Sequence, residues 1–131
     1  MENTFTHDQI STILSAADDS FGTKDIFLLL IHTGMRVSEL LSTKTSDINI
    51  AERTIRIHET KTATKRIVPI PTNILPIIEA RMGGEYLVEI DGMPISPTTL
   101  SRNWARFMKP LGIEHSPHAT RHTFIIDRFN S

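Results

Sequence analysis

The run Ile26-Phe27-Leu28-Leu29-Leu30-Ile31 constrains this chain more than any other stretch. A helix that is apolar almost all round is stable only when other elements surround it. The run therefore predicts a central buried helix over about residues 23–32, with the rest of the chain packed around it. Gly34 follows as a left-handed C-terminal residue. Six apolar residues are far too few to span a bilayer. The chain has 131 residues, which suits one domain with a modest core. Hydrophobic residues make up 39% and charged residues 22%, as expected of a soluble globular protein. There is no cysteine, which excludes a disulfide framework, a thiolate metal site and a cysteine nucleophile. No charged-then-apolar leader opens the sequence.

The other elements follow from spacing and punctuation. Residues 1–6 read as a loose start. Thr6 caps a helix over about residues 7–17, with Ile10, Ile13 and Leu14 on one face and Asp8 at the positive end of the dipole. A third helix, about residues 36–43, carries Val37, Leu40 and Leu41 as its apolar stripe. The period then changes to two over residues 47–50, 54–58 and 66–70, which predicts a small antiparallel meander. Pro69 cannot donate to a ladder, so the third strand lies at an edge. Residues 71–73 open another helix, capped by Thr72 or Asn73, that buries Ile74, Leu75, Ile77 and Ile78. Gly83-Gly84 stops it, Tyr86-Leu87-Val88 reads as extended, and Asp91-Gly92 as a turn. Ser96-Pro97 begins a helix to about residue 108, with Leu100, Trp104 and Phe107 on its inner face. Ser116-Pro117 repeats that start for a last helix, in which Phe124, Ile125 and Phe129 turn inward. The fold class is α+β: a mostly helical core with a three-stranded antiparallel sheet.

The formal net charge is −1, but it is unevenly spread. Residues 1–52 hold three Lys/Arg against eight acids, a net of −5, and residues 53–131 hold eleven against seven, a net of +4. Such asymmetry makes a basic face possible on a neutral protein, and ordinary surface composition gives the same numbers. Three stretches carry chemistry. His118 and Arg121 stand three apart near a helix start, where backbone N–H groups already favour an anion. Arg36 and Glu39 are also three apart. Spacing alone favours a surface charge paired with Glu39 over an arginine held rigid at a helix junction. Lys61 lies in the connection of the last two strands, beside Lys65 and Arg66, where solvation is the common explanation. Arg102 and Arg106 could meet DNA phosphates, although a solvated helix face explains them as simply. As a set, arginines, a lysine and histidines suit a polyanion, above all a phosphodiester whose charge grows during reaction. A rival reading takes His118 and His122, with His115 nearby, as zinc ligands. The zincin pattern needs Glu where Ala119 stands.

In order, Thr33-Gly34-Met35-Arg36-Val37-Ser38-Glu39-Leu40-Leu41, Lys61 with Lys65-Arg66-Ile67-Val68-Pro69-Ile70, and Ser116-Pro117-His118-Ala119-Thr120-Arg121-His122-Thr123-Phe124 resemble the three motifs of the tyrosine recombinase (phage integrase) catalytic domain. The resemblance covers nearly the whole chain. It implies site-specific DNA breakage and rejoining through a 3′-phosphotyrosine link, without metal or nucleotide cofactor. By position, Arg36 and Arg121 would clamp the scissile phosphate and Lys61 would protonate the leaving 5′ oxygen. His118 would assist proton transfer, and Glu39 would support Arg36. Lys65, Arg66, Arg102 and Arg106 would be DNA contacts.

The implied partners are double-stranded DNA and further recombinase protomers, four in a synaptic complex, with no membrane. The implied setting is the cytoplasm and nucleoid of a bacterium, or a phage-encoded mobile element. The family's nucleophilic tyrosine would lie beyond the last motif. Tyr86, the only tyrosine, precedes that motif and sits in the wrong segment. Residues 1–131 thus read as one partial catalytic domain, with the core-binding domain and the tyrosine segment absent and no cleavage of its own. Apolar surface near Phe124, Ile125 and Phe129 would then promote self-association. A non-catalytic DNA-binding regulator built on the same residues is the alternative.

Overall fold

A computed structural model describes residues 3–58 and 65–130, the side chains of Lys65 and of residues 125–130 excepted. The helices are α1 (His7–Ser15), α2 (Thr23–Thr33), α3 (Val37–Ser42), α4 (Leu75–Ala80), α5 (Pro97–Met108) and α6 (Ala119–Asn130). The strands are β1 (Ile48–Asn49), β2 (Thr54–His58), β3 (Lys65–Pro69), β4 (Glu89–Ile90) and β5 (Met93–Pro94). Short 3-10 turns cover Thr45–Asp47, Thr72–Ile74 and Lys109–Leu111. Among the described residues no helix is long and apolar enough to cross a membrane.

The apolar run forms the central helix, as its composition demands. Ile26, Phe27, Leu29 and Leu30 of α2 are buried, and α2 packs against α5, α6 and the 3-10 turn Thr72–Ile74. From α5 come Leu100, Trp104, Phe107 and Met108, all buried, while Arg102 and Arg106 on the same helix are exposed. Ser96 accepts the N–H of Thr99, and Pro97 takes the first helical position, so this helix begins where its sequence indicates.

The start of α2 is fixed from outside the helix. Gly22 offers no side-chain cap. The Asp19 carboxylate instead accepts the N–H of Thr23 at 2.8 Å, the Thr23 hydroxyl at 2.6 Å and the N–H of Phe21 at 3.2 Å. Lys24 reaches back to the carbonyls of Leu14 and Ala16, at 2.7 and 2.8 Å, and so closes the end of α1.

The strands β1-β2-β3 make an antiparallel meander with β3 at one edge, and Pro69 ends it opposite Thr54. Register sets the inward face. Ile55 pairs with Ile48 on one side and Val68 on the other, and all three are buried. Alternation then turns Arg66 inward with Val68 and Ile70, and turns Ile67 outward, where it is 57% exposed. A second hairpin, β4-β5, turns at Asp91 (φ 54°) and Gly92 (φ 79°), the left-handed pair that a tight hairpin needs.

Four expectations are corrected. Residues 3–6 are not a loose start, because Phe5 is buried. Its ring meets Phe27 at 5.1 Å and Trp104 at 6.3 Å, and its N–H donates to the Thr123 hydroxyl at 2.9 Å. Helix α1 ends at Ser15, with Ala16 already extended. Neither Thr72 nor Asn73 caps α4, since Thr72 accepts from Arg53 and Asn73 turns to His32. The last helix begins at Ala119. Residues 116–118 form a 3-10-like turn before it, in which the N–H of Ala119 reaches only to the carbonyl of Ser116.

Because Asp19 holds both the N–H and the hydroxyl of Thr23, beside Asp18, which accepts the N–H of Lys24 at 3.0 Å, Asp19→Ala should cost about 1 kcal/mol. The melting temperature should fall by several degrees, while Asp8→Ala, at the exposed α1, should move it far less.

Candidate active site

Helix α2 ends at Gly34 with φ 71° and ψ 14°, and its N–H closes on the carbonyl of Leu30. Two residues later Arg36 is the N-cap of α3. The reversal leaves the carbonyl of Gly34 outside the helical ladder. Arg121, on the first turn of α6, fills that need: its Nη1 donates to the Gly34 oxygen at 2.7 Å, across 87 positions of sequence. The ring of Phe124, one turn on, lies against Gly34 so closely that a Cβ there would collide with it. Two of the sequence-predicted motifs are therefore locked together.

The third contribution comes from the sheet. Arg66, inward on β3, makes a two-pronged contact with Glu39 of α3: Nη1 to Oε2 at 2.7 Å and Nη2 to Oε1 at 3.2 Å. The same Oε1 accepts the backbone N–H of Arg36 at 2.9 Å. The Arg36 guanidinium stands 3.9 Å from Oε2, beyond hydrogen-bond range, and its side chain is 59% exposed. Glu39 is 8% exposed. Burial pushes its carboxyl up, but the Arg66 hydrogen bonds, the Arg36 N–H and the two guanidinium charges outweigh that and hold it below the usual range.

Thr33, Gly34, Arg66, Val68, Pro69, Arg121 and Phe124 line a cleft of about 280 Å³. A larger hollow of about 510 Å³ lies between α5 and residues 112–117, walled by Trp104, Met108 and Ile113. No arginine lines it, so the argument from anion chemistry selects the smaller cleft.

The other candidates fall as follows. His118 is exposed in the turn before α6, its ring 6.1 Å from that of His122. His115 packs its ring on Phe5 at 4.9 Å, and among the described residues no three metal-binding side chains cluster. Tyr86 pairs its backbone with Lys44 and carries the Lys44 ammonium 5.7 Å from its ring centre. Lys61, and the side chains of Lys65, Ile125 and Phe129, lie outside the described part. Sequence reading missed the tie of Arg66 to Glu39. The signal for it was the period of two, which puts Arg66 on the face of Val68 once Val68 is known to point inward.

The description of the Phage integrase family matches residues 3–129, which is almost the whole chain. This chain belongs to the phage integrase family. Relatives include the tyrosine recombinase XerA of Thermococcus onnurineus (strain NA1), 36% identical over 108 residues, which covers 76% of this chain and 38% of that protein. XerA of Saccharolobus solfataricus is 35% identical over 118 residues, covering 88% of this chain and 39% of that protein. The chain therefore spans well under half the length of these curated relatives. Among solved structures, a XerA recombinase superposes with a TM-score of 0.81 at 25% identity, over 96% of this chain and 49% of that one. The lambda integrase catalytic core gives 0.75 at 25% identity, over 91% and 78%. The phage integrase fold thus holds the cleft and both arginine motifs described above.

Two outcomes follow for the site. Gly34→Ala forces a side chain into a left-handed backbone and into Phe124, so it should destabilise the domain by about 2 kcal/mol or more, read by chemical denaturation. Glu39 has a folded pKa below its unfolded one. Its contribution to stability is complete above the ordinary glutamate range and is lost as pH falls through the folded value. Glu39→Gln should remove that part of the acid-side loss in a pH series of melts.

Proposed function

We propose that this chain provides the phosphate-activating part of a tyrosine recombinase catalytic domain, which breaks and rejoins double-stranded DNA at specific sites through a 3′-phosphotyrosine link. The observation that carries the reading is the bond from Arg121 to the Gly34 carbonyl, which brings the late arginine motif to within two residues of Arg36. In this reading Arg36 and Arg121 fork onto the non-bridging oxygens of the scissile phosphate. Charge grows there in the transition state, and donors fixed beforehand need no reorganisation to meet it. His118, exposed at the mouth of α6, assists proton transfer and orients the phosphate. Lys61, outside the described residues, protonates the leaving 5′ oxygen. The covalent link retains the energy of the phosphodiester, so the reaction needs no metal or nucleotide.

The named relatives are recombinases, and two structural neighbours support DNA and further protomers as partners. One is a lambda integrase dimer bound to a COC′ core site, the other a Tn1549 transposon integrase with transposon right-end DNA. For this chain we infer a single catalytic-type domain that works as one of four protomers on synapsed DNA, in the cytoplasm of a bacterial cell or as a phage product.

Binding to a labelled duplex of about thirty base pairs, followed by fluorescence anisotropy, tests the phosphate roles. The logarithm of affinity should fall linearly with the logarithm of salt. Arg36→Ala and Arg121→Ala should each flatten that slope by about 0.9, the loss of one phosphate contact. Slopes unchanged in both variants would remove the reading.

A further inference from the structure

We propose that Arg66 is a positioning residue that acts through Glu39, keeping the Arg36 guanidinium free for phosphate. The inference rests on the reading of Arg36 as a phosphate ligand. It replaces the expectation that Arg66 touches DNA itself.

Three observations lead there. First, Arg66 occupies an inward position on β3, in register with the buried Ile57. An arginine on that face must meet an anion, and the buried Glu39 is the anion it meets. Second, the fork of Arg66 engages both oxygens of Glu39, at 2.7 and 3.2 Å. Third, among the described residues the Arg36 guanidinium is the other cation beside that carboxylate, 3.9 Å from Oε2. Two arginines therefore compete for one carboxylate, and Arg66 holds the hydrogen bonds. A buried carboxylate does not stay unpaired. If the fork of Arg66 is removed, the nearest replacement is Arg36, which needs to move only about an ångström to close a hydrogen bond. That movement would pair Arg36 with protein in place of DNA. Glu39 alone would thus be a trap for Arg36. With Arg66 present it becomes a support, because it still accepts the Arg36 backbone N–H and no longer draws in its side chain.

A direct DNA contact and a positioning role predict different salt slopes in a double-variant cycle. The anisotropy assay on this chain provides the readout, with Arg66→Ala, Glu39→Gln and the pair together. Under the proposal, Arg66→Ala flattens the slope by about 0.9, as Arg36→Ala does, because Arg36 is captured. In the Glu39→Gln background the amide has no charge to capture it, and Arg66→Ala then leaves the slope where Glu39→Gln alone puts it. If Arg66 binds phosphate directly, its removal flattens the slope by the same amount in both backgrounds, and the proposal is wrong. No effect in either background also overturns it. Arg66→Lys guards against a folding defect. It keeps the charge but gives up the fork, so it should show a partial loss that Glu39→Gln again removes; a loss that persists in that background counts against the proposal. Arg36→Ala, run in parallel, separates the two levels. If it leaves the slope unchanged, the reading of Arg36 as a phosphate ligand, on which this proposal rests, has failed. If it flattens the slope while the cycle shows no coupling, only the role of Arg66 has.

Discussion

The chain must reverse at Gly34, and the rest of the site depends on how it does so. Helix α2 is apolar on nearly every side and lies in the middle of the domain, so its C-terminal carbonyls cannot rely on water. A left-handed glycine ends it within one residue, and the freed carbonyl of Gly34 receives the guanidinium of Arg121. A cation is also what the negative end of the helix dipole favours. One contact therefore completes a buried helix and fixes the orientation of a functional arginine. The same reversal puts Arg36 at the start of α3, with its backbone amide held by Glu39 and its side chain in solvent.

A protein of nearly neutral charge can still present a strongly positive site. Arg36 at the start of α3 and Arg66 of β3 stand beside one carboxylate, Glu39, and Arg121 of α6 is tied to Gly34, two residues from Arg36. The arginines lie 30 residues or more apart in sequence, so no basic run announces them. Local stoichiometry, not net charge, sets the potential in the cleft. The acidic excess of the first 52 residues is spent partly on architecture. Asp19 caps α2, Asp25 pairs with Arg81 and Asp47 pairs with His58.

The helices and the meander were legible because their signals are local. Thr6 with Gln9, Ser96 with Pro97, and Gly34 all sit where capping chemistry alone would put them. The two arginine motifs were legible from residue pattern. Their meeting was expected through the family resemblance, but the bond that makes it, from Arg121 to the Gly34 carbonyl across 87 positions, leaves no trace in spacing. The burial of Phe5 escaped for the same reason: its partners Phe27, Trp104, His115 and Thr123 are scattered through the chain. The start of the last helix was misread because Ser-Pro serves equally well as the opening of a 3-10 turn. The role of Arg66 was hidden by strand phase. Ile67 looks like the core residue of that strand, and only the register against Ile57 shows that it is not.

The bond from Phe5 to Thr123 has a consequence for how such a domain comes into being. It joins residues 118 positions apart, and the Phe5 ring helps to fill the space beside Phe27 and Trp104. Closing so long a loop carries an entropic cost before any packing repays it. During synthesis, therefore, the core cannot seal while α6 is still inside the ribosome. Until then part of the apolar face of α2 must wait uncovered, and exposed apolar surface of that kind favours aggregation or chaperone capture.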